Sequence, residues 1–385
     1  MDKNLTKNIE IIGEWFLPDS DNKIPGVFRY KDGQSTLELL RPFTVEKRTT
    51  QDSTFKTIHG QTKNGPVTLT HVIFNFLYAH GSVYSAIFGR LLDDNHTLEG
   101  IGFNFDLLNE WATSKHPYKV KQDDFYADTL EKYAFTIDDV TCELLISLGT
   151  SAGYLKGTRT YNLSNFLLKA EKGKSFHALF DYVIGIQYFL MLVMGRSLNL
   201  DSMTNLSNNS LSKDIFLPVS KKETKGSDLD HFFNISFIRK NYTSVLTNWF
   251  DFYLKNKYLL KMFFGTMHDN TVKSSDFFVY ASLLEGYYKS KYTEESEYKK
   301  RIRVVLQPLS HDFSNLDEFI NVIEKMRHDN FHFNKRDELD EDLLQKVTHD
   351  LFFIIRIILL NHIGVSITIN SIPHMKDLMF LKRIK

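Results

Sequence analysis

The sequence has a single cysteine, Cys142, so no disulfide can form within the chain and no zinc site can be built from cysteines. A reducing compartment is the natural setting for such a chain. It also lacks an excess of charge of either sign: 47 Lys and Arg face 47 Asp and Glu. No broad basic field draws in nucleic acid, so any phosphate contact must be made locally. Long apolar runs are missing too. Residues 182–195 (YVIGIQYFLMLVMG) are too few to cross a bilayer and include Gln187, and 351–360 is shorter and contains Arg356. Both read as buried helices. The opening stretch MDKNLTKNIEIIGEW has no apolar core of a secretion signal. The expectation is a cytoplasmic protein without membrane contact.

What is present is large side chains. Aromatics make up 14% of the 385 residues, enough to fill the two or three cores that this length predicts. Residues 1–165 read as a β-rich domain. Val27 to Tyr30, the turn Lys31, Asp32 and Gly33, and Thr36 to Leu40 form a hairpin signal, and 67–74, 101–105 and 140–147 are further strand candidates. Trp15 and Phe16 read as core of this domain. Residues 166–239 read as a helical segment, with 176–194 its helix, followed by linker. The polar stretches 199–209 and 220–228 read as exposed loops. From 240 to 385 the pattern is helical. Apolar residues recur at three- and four-residue steps in 274–292, 316–326 and 340–362; Ser314 to Asp317 resembles a capping box, and Gly364 stands where a helix-ending glycine belongs. Four or five helices with short connections predict an up-and-down bundle. The fold class expected is α+β, and no internal repeat is evident.

The densest chemistry lies in the run MRHDNFHF. Arg327, His328, Asp329, Asn330 and His332 put a fixed cation, two imidazoles, a carboxylate and an amide within six residues. RNA cleavage by the ribose 2′-hydroxyl would suit them. A histidine titrates near neutrality and can move the proton, while an arginine fork can hold the phosphate, and no metal is needed. Residues five apart on one helix diverge by roughly 140°, so Arg327 and His332 converge only if the helix ends near Asn330. Two other chemistries compete. His328 and His332 mimic the paired zinc ligands of metalloproteases, with Asp in place of Glu. The His-Asp dipeptide at 268, 311, 328 and 349 suggests a phosphohydrolase of the His-Asp type. A plain solvated helix end accounts for the same residues, and the motif alone does not decide.

Its surroundings add to it. Residues 277–292 (FFVYASLLEGYYKSKY), 322–334 (VIEKMRHDNFHFN) and 343–366 resemble successive helices of HEPN domains, whose motif is Arg, four to six residues, then His. Arg327 and His332 match that spacing, with the polar His328 after the arginine. Residues 13–18 (GEWFLP), 25–30 (PGVFRY) and 37–39 (LEL) resemble the opening of the ApeA N-terminal domain, with Phe16 where a second Trp is usual. The resemblance implies an anti-phage abortive-infection protein: a β-rich domain that senses infection and restrains a HEPN bundle that cleaves RNA, tRNA among the substrates of related toxins. It implies a homodimer or higher homo-oligomer in which Arg and His of both copies meet at one cleft, a phage protein as trigger, and no cofactor or metal. On this reading Arg327 and His332 are catalytic, with His328 and Asn330 supporting. Glu285, in the apolar run LLEGYY, is the carboxylate that would orient Arg327, otherwise a buried unpaired cation; a solvated helix Glu is the plain alternative. The alternatives remain a non-catalytic HEPN interaction module and a metal-dependent hydrolase using His328 and His332.

Overall fold

The computed structural model describes residues 4–43, 52–75, 79–92, 97–112, 129–153, 157–207, 210–217, 235–267, 272–292, 297–331, 340–367 and 379–381. The chain divides into two compact units, residues 1–187 with 198–223, and residues 188–197 with 224–385. The fold class is α+β, with strands in the first unit and helices in the second.

Six antiparallel strands of the first unit close into a barrel. They are β1 (Ile9–Phe16), β2 (Ile24–Lys31), β3 (Gln34–Leu39), β4 (Asp52–Thr62), β5 (Gly65–Asn75) and β6 (His80–Phe88), and the ring runs β1-β2-β3-β6-β5-β4 back to β1. The expected β2–β3 hairpin is present. Asp32 and Gly33 both have positive φ, 51° and 78°, and Lys31 pairs with Gln34, the geometry of a two-residue type I′ turn. Alternation fixes the inside: Ile24, Phe28 and Tyr30 of β2 and Leu37 and Leu39 of β3 are buried. Trp15 is fully buried, and its ring covers Gly60, where any Cβ would stand 2.3 Å from it. Phe16, expected in the core, is half-buried on the opposite face, because consecutive strand residues point to opposite sides. It meets the His59 ring at 5.6 Å instead.

A second run of six strands extends from β6 in the order β12 (Ser210–Phe216), β11 (Leu200–Ser207), β7 (Leu98–Phe105), β10 (Gly157–Lys174), β9 (Val140–Gly153) and β8 (Thr129–Ile137). A five-residue helix, α1 (Leu108–Ala112), follows β7. Residues 199–209, expected as a loop in a stretch of helix and linker, are instead largely strand β11, and β10 runs on to Lys174. The polar composition misleads because the strand is hydrogen-bonded on both edges, to β7 and β12, and buries Met203 and Leu206 between its polar residues. Helix α2 (Phe176–Met194) forms as its apolar pattern predicts. Its one amide, Gln187, donates to the Leu198 carbonyl at 2.7 Å, which removes the cost of burying it. Among the described residues α2 is the one helix long and apolar enough to cross a membrane, and most of it is buried inside the protein.

The second unit holds the end of α2 and six helices: α3 (Tyr242–Lys255), α4 (Lys257–Thr266), α5 (Phe277–Lys291), α6 (Tyr298–Leu306), α7 (Leu316–Phe331) and α8 (Glu341–His362). Asp340 caps α8 by accepting from the Asp342 and Leu343 amides, and the start of α7 is capped by Asn315, whose Oδ1 accepts from Glu318, rather than by Ser314. Ser314 is engaged elsewhere, on the Phe380 carbonyl. Residues 351–360 of α8 are buried on every face, including Arg356. Arg356 donates Nε and Nη2 to the Leu192 carbonyl at 3.1 and 2.7 Å, satisfying an acceptor in the last turn of α2 with a cation, although burial pulls its pKa well down. Gly195 follows with φ 75°, and a Cβ there would stand 2.6 Å from Arg356 Nη1.

Candidate active site

Three helices build the site. In α7 the residues Phe319, Ile320, Ile323 and Met326 form the buried stripe. Arg327 comes four residues after Ile323, on the rim of that stripe, so its stem is half-covered and its head emerges toward α5 and α6. In α6 the buried residues Ile302 and Val305 fix which side faces inward. Tyr298 and Arg301 stand four residues before each of them and share that side. In α5, Glu285 lies one turn after buried Ala281.

These side chains converge on the Glu285 carboxylate, which is 18% exposed. Its Oε1 accepts a hydrogen bond from Arg301 Nη1 and receives Lys289 Nζ at 3.1 Å. Its Oε2 lies 3.6 Å from Arg327 Nη2. The Arg327 guanidinium carbon sits 4.2 Å from the centre of the Tyr298 ring, in cation–π geometry. Burial raises the Tyr298 phenol pKa, against the opposing pull of Arg327, so the ring stays neutral under its cation. One carboxylate thus gathers three cations, a formal +2 at one spot on a chain with no net charge. The arrangement suits an anion with several oxygens. Arg327 remains 38% exposed while two contacts set its direction, which is what a phosphate-binding arginine needs.

The residues expected at the site fall out as follows. Glu285 stands beside Arg327. His328 is exposed on α7, next in sequence to Arg327. Asn330 lies in the last turn of α7, but its side chain is outside the described residues, as is all of His332. Helix α7 continues to Phe331, one residue beyond the expected end. Of the His-Asp dipeptides, the carboxylate of Asp350 is engaged in accepting the Phe380 amide at 2.9 Å. Among the described residues no group of three or more His, Cys, Asp or Glu is placed to hold a metal. Arg301, Lys289 and Tyr298 were not anticipated. Lys289 carries a signal, four residues after Glu285 on one helix, but the Tyr298 and Arg301 contacts depend on how the helices meet.

Comparison with known families assigns both parts of the chain. The model of ApeA N-terminal domain 1 matches residues 10–249, more than half of the sequence, and the model of the Apea-like HEPN domain matches residues 283–368, which contain Glu285, Tyr298, Arg301 and Arg327. No curated protein and no solved structure matches the chain.

Proposed function

The chain belongs to the ApeA family, and from that premise we propose that it is a metal-independent endoribonuclease of bacterial anti-phage defence. In this reading Arg327 holds the scissile phosphate and stabilises the charge that builds on it during attack by the 2′-hydroxyl. His332 removes the proton from that hydroxyl or delivers one to the leaving 5′-oxygen. His328 and Asn330 support the phosphate or the motif. Two copies of the chain complete one cleft, in the cytoplasm, and the barrel-bearing unit senses a phage component and restrains cleavage. The observation that supports this best is the state of Arg327: oriented by Glu285 and Tyr298, open to solvent, and inside the region that matches a HEPN domain.

The test uses the full chain with total cellular RNA and cells challenged with phage. Cleavage that persists in EDTA, leaves 2′,3′-cyclic phosphate ends and is lost in folded Arg327→Ala and His332→Ala variants is the expected result. A folded His332→Ala variant that still cleaves would sink the mechanism. Protection from phage that survives Arg327→Ala, with RNA intact, would make the HEPN bundle an interaction module.

A further inference from the structure

The barrel-bearing unit contains a cavity of about 250 Å³ where the first turn of α2 meets β4 and β5. Its lining residues are of two kinds. Ile87, Leu92, Leu98 and Phe176 are its apolar residues, and we call them its apolar wall. Lys56, His71 and His177, with hydroxyls such as Ser175 and Thr57, form the rest, and among the described residues no carboxylate lines it. We propose that this cavity binds a small phosphate monoester of mononucleotide size, its phosphate held by Lys56, His71 and His177 and its organic part against the apolar wall.

Four observations carry this. The first is register. Phe55 pairs with Val72 and Thr57 with Thr70, while Thr70 pairs with Ser85 and Val72 with Val83, so Lys56, His71 and Tyr84 form one row across β4, β5 and β6. The second is backbone. His71 has φ 47° in mid-strand, a left-handed conformation that costs on the order of 1 kcal/mol and collects at binding sites. The third is the histidine pair. His177 Nε2 lies 3.2 Å from His71 Nδ1, so one ring must accept from the other and the two are not both fully charged. Burial and the neighbouring His71 hold the His177 pKa below its ordinary value. A phosphate dianion would reverse that balance and bring a proton with it. Among the described residues the titratable groups around His177 are His71, Lys56 and Tyr84 from the strands and Asp181 one turn along α2; Asp181 favours the protonated ring, against burial and His71, which together prevail. The fourth is the cavity itself, whose apolar residues would be left uncovered by free phosphate alone.

Calorimetric titration of the full chain with adenosine 5′-monophosphate, inorganic phosphate and adenosine tests this. The nucleotide is expected to bind, phosphate more weakly, and adenosine at least about tenfold more weakly than the nucleotide, the scale of a lost charge-assisted contact. The binding heat should vary with the ionisation enthalpy of the buffer, because a proton is taken up. Lys56→Ala and His177→Gln should each weaken nucleotide binding about tenfold, with unfolding midpoints changed little because neither residue belongs to the buried core. Arg327→Ala should bind the nucleotide like the wild type. The proposal is overturned if neither nucleotide nor phosphate gives saturable heat, if adenosine binds as tightly as the nucleotide, if both cavity variants bind normally, or if Arg327→Ala abolishes binding.

Discussion

Replacing Glu285 with Gln is expected to slow RNA cleavage without abolishing it, and to tighten RNA binding at the same time. Glu285 and Tyr298 both orient Arg327, through the ion pair at 3.6 Å and the ring at 4.2 Å. Two unit charges at that separation attract by about 4–5 kcal/mol at an effective dielectric of 20 and by about 1 kcal/mol in water. With Arg327 38% exposed, the pair lies toward the water limit, worth about 1 kcal/mol or less. The ring contact adds about 0.5–1 kcal/mol. Glu285→Gln should therefore lower kcat by about fivefold, Tyr298→Leu by a similar factor, and the double variant by about twentyfold to thirtyfold. Arg327→Ala, which removes the group itself, should cost about 10²–10³ in kcat. Neutralising Glu285 also takes the formal charge of these four side chains from +2 to +3, since Arg327, Arg301 and Lys289 lose the carboxylate they share. KM for RNA should fall and its salt dependence should steepen. Steady-state cleavage of a short labelled RNA at two salt concentrations, with kcat and KM separated, measures both effects. A folded Glu285→Gln variant as inactive as Arg327→Ala would refute the positioning role, because the carboxylate would then be taking part in the chemistry. An unchanged kcat would refute the clamp.

The remaining predictions concern stability and pH. Burial raises the Asp350 pKa to about 6 although the Phe380 and Met379 amides favour the carboxylate. The folded state then binds a proton that the unfolded chain has released, so this residue lowers stability as pH rises from about 4 to about 6, by up to about 3 kcal/mol. Asp350→Asn keeps the shape and drops the titration, so its stability relative to the wild type should improve between pH 4 and pH 7 in urea unfolding. Gly195→Ala should destabilise the helical unit by about 2 kcal/mol or more, since it forces a Cβ into the left-handed region and against buried Arg356. A drop in the unfolding midpoint smaller than Gly60→Ala produces at the Trp15 ring would argue that the Arg356 head can shift aside. Gly60→Ala itself should cost about 1–3 kcal/mol by overpacking and alter the near-ultraviolet signal of Trp15.

What the sequence made legible was what is local. The β2–β3 hairpin follows from Asp32 and Gly33 because a two-residue turn with positive φ at both positions has few other solutions. Helices α5, α7 and α8 follow from apolar stripes that a period of 3.6 makes hard to mistake. The pairing of Glu285 with Arg327 spans 42 residues, and it is the resemblance to HEPN helices that places an acid there. What stayed hidden depends on partners distant in sequence for which no resemblance speaks. Strand β11 is polar in composition and becomes a strand only because β7 and β12 bond to both its edges. Asn315 rather than Ser314 caps α7 because Ser314 is drawn to Phe380, 66 residues on. Tyr298 and Arg301 join the site through the meeting of α6 with α5 and α7, and no spacing within α6 reveals it.

The closed barrel has a consequence for the order in which the protein is made. All six of its strands lie between Ile9 and Phe88, and Arg327 is encoded about 240 residues later. At about 5–20 residues per second, the ribosome needs on the order of ten to fifty seconds to travel that distance. The ring β1-β2-β3-β6-β5-β4 draws on no later strand for its own closure, so it can form while the helical unit is still untranslated. In a cell that makes this chain, the ring can therefore close at the ribosome before Arg327 exists.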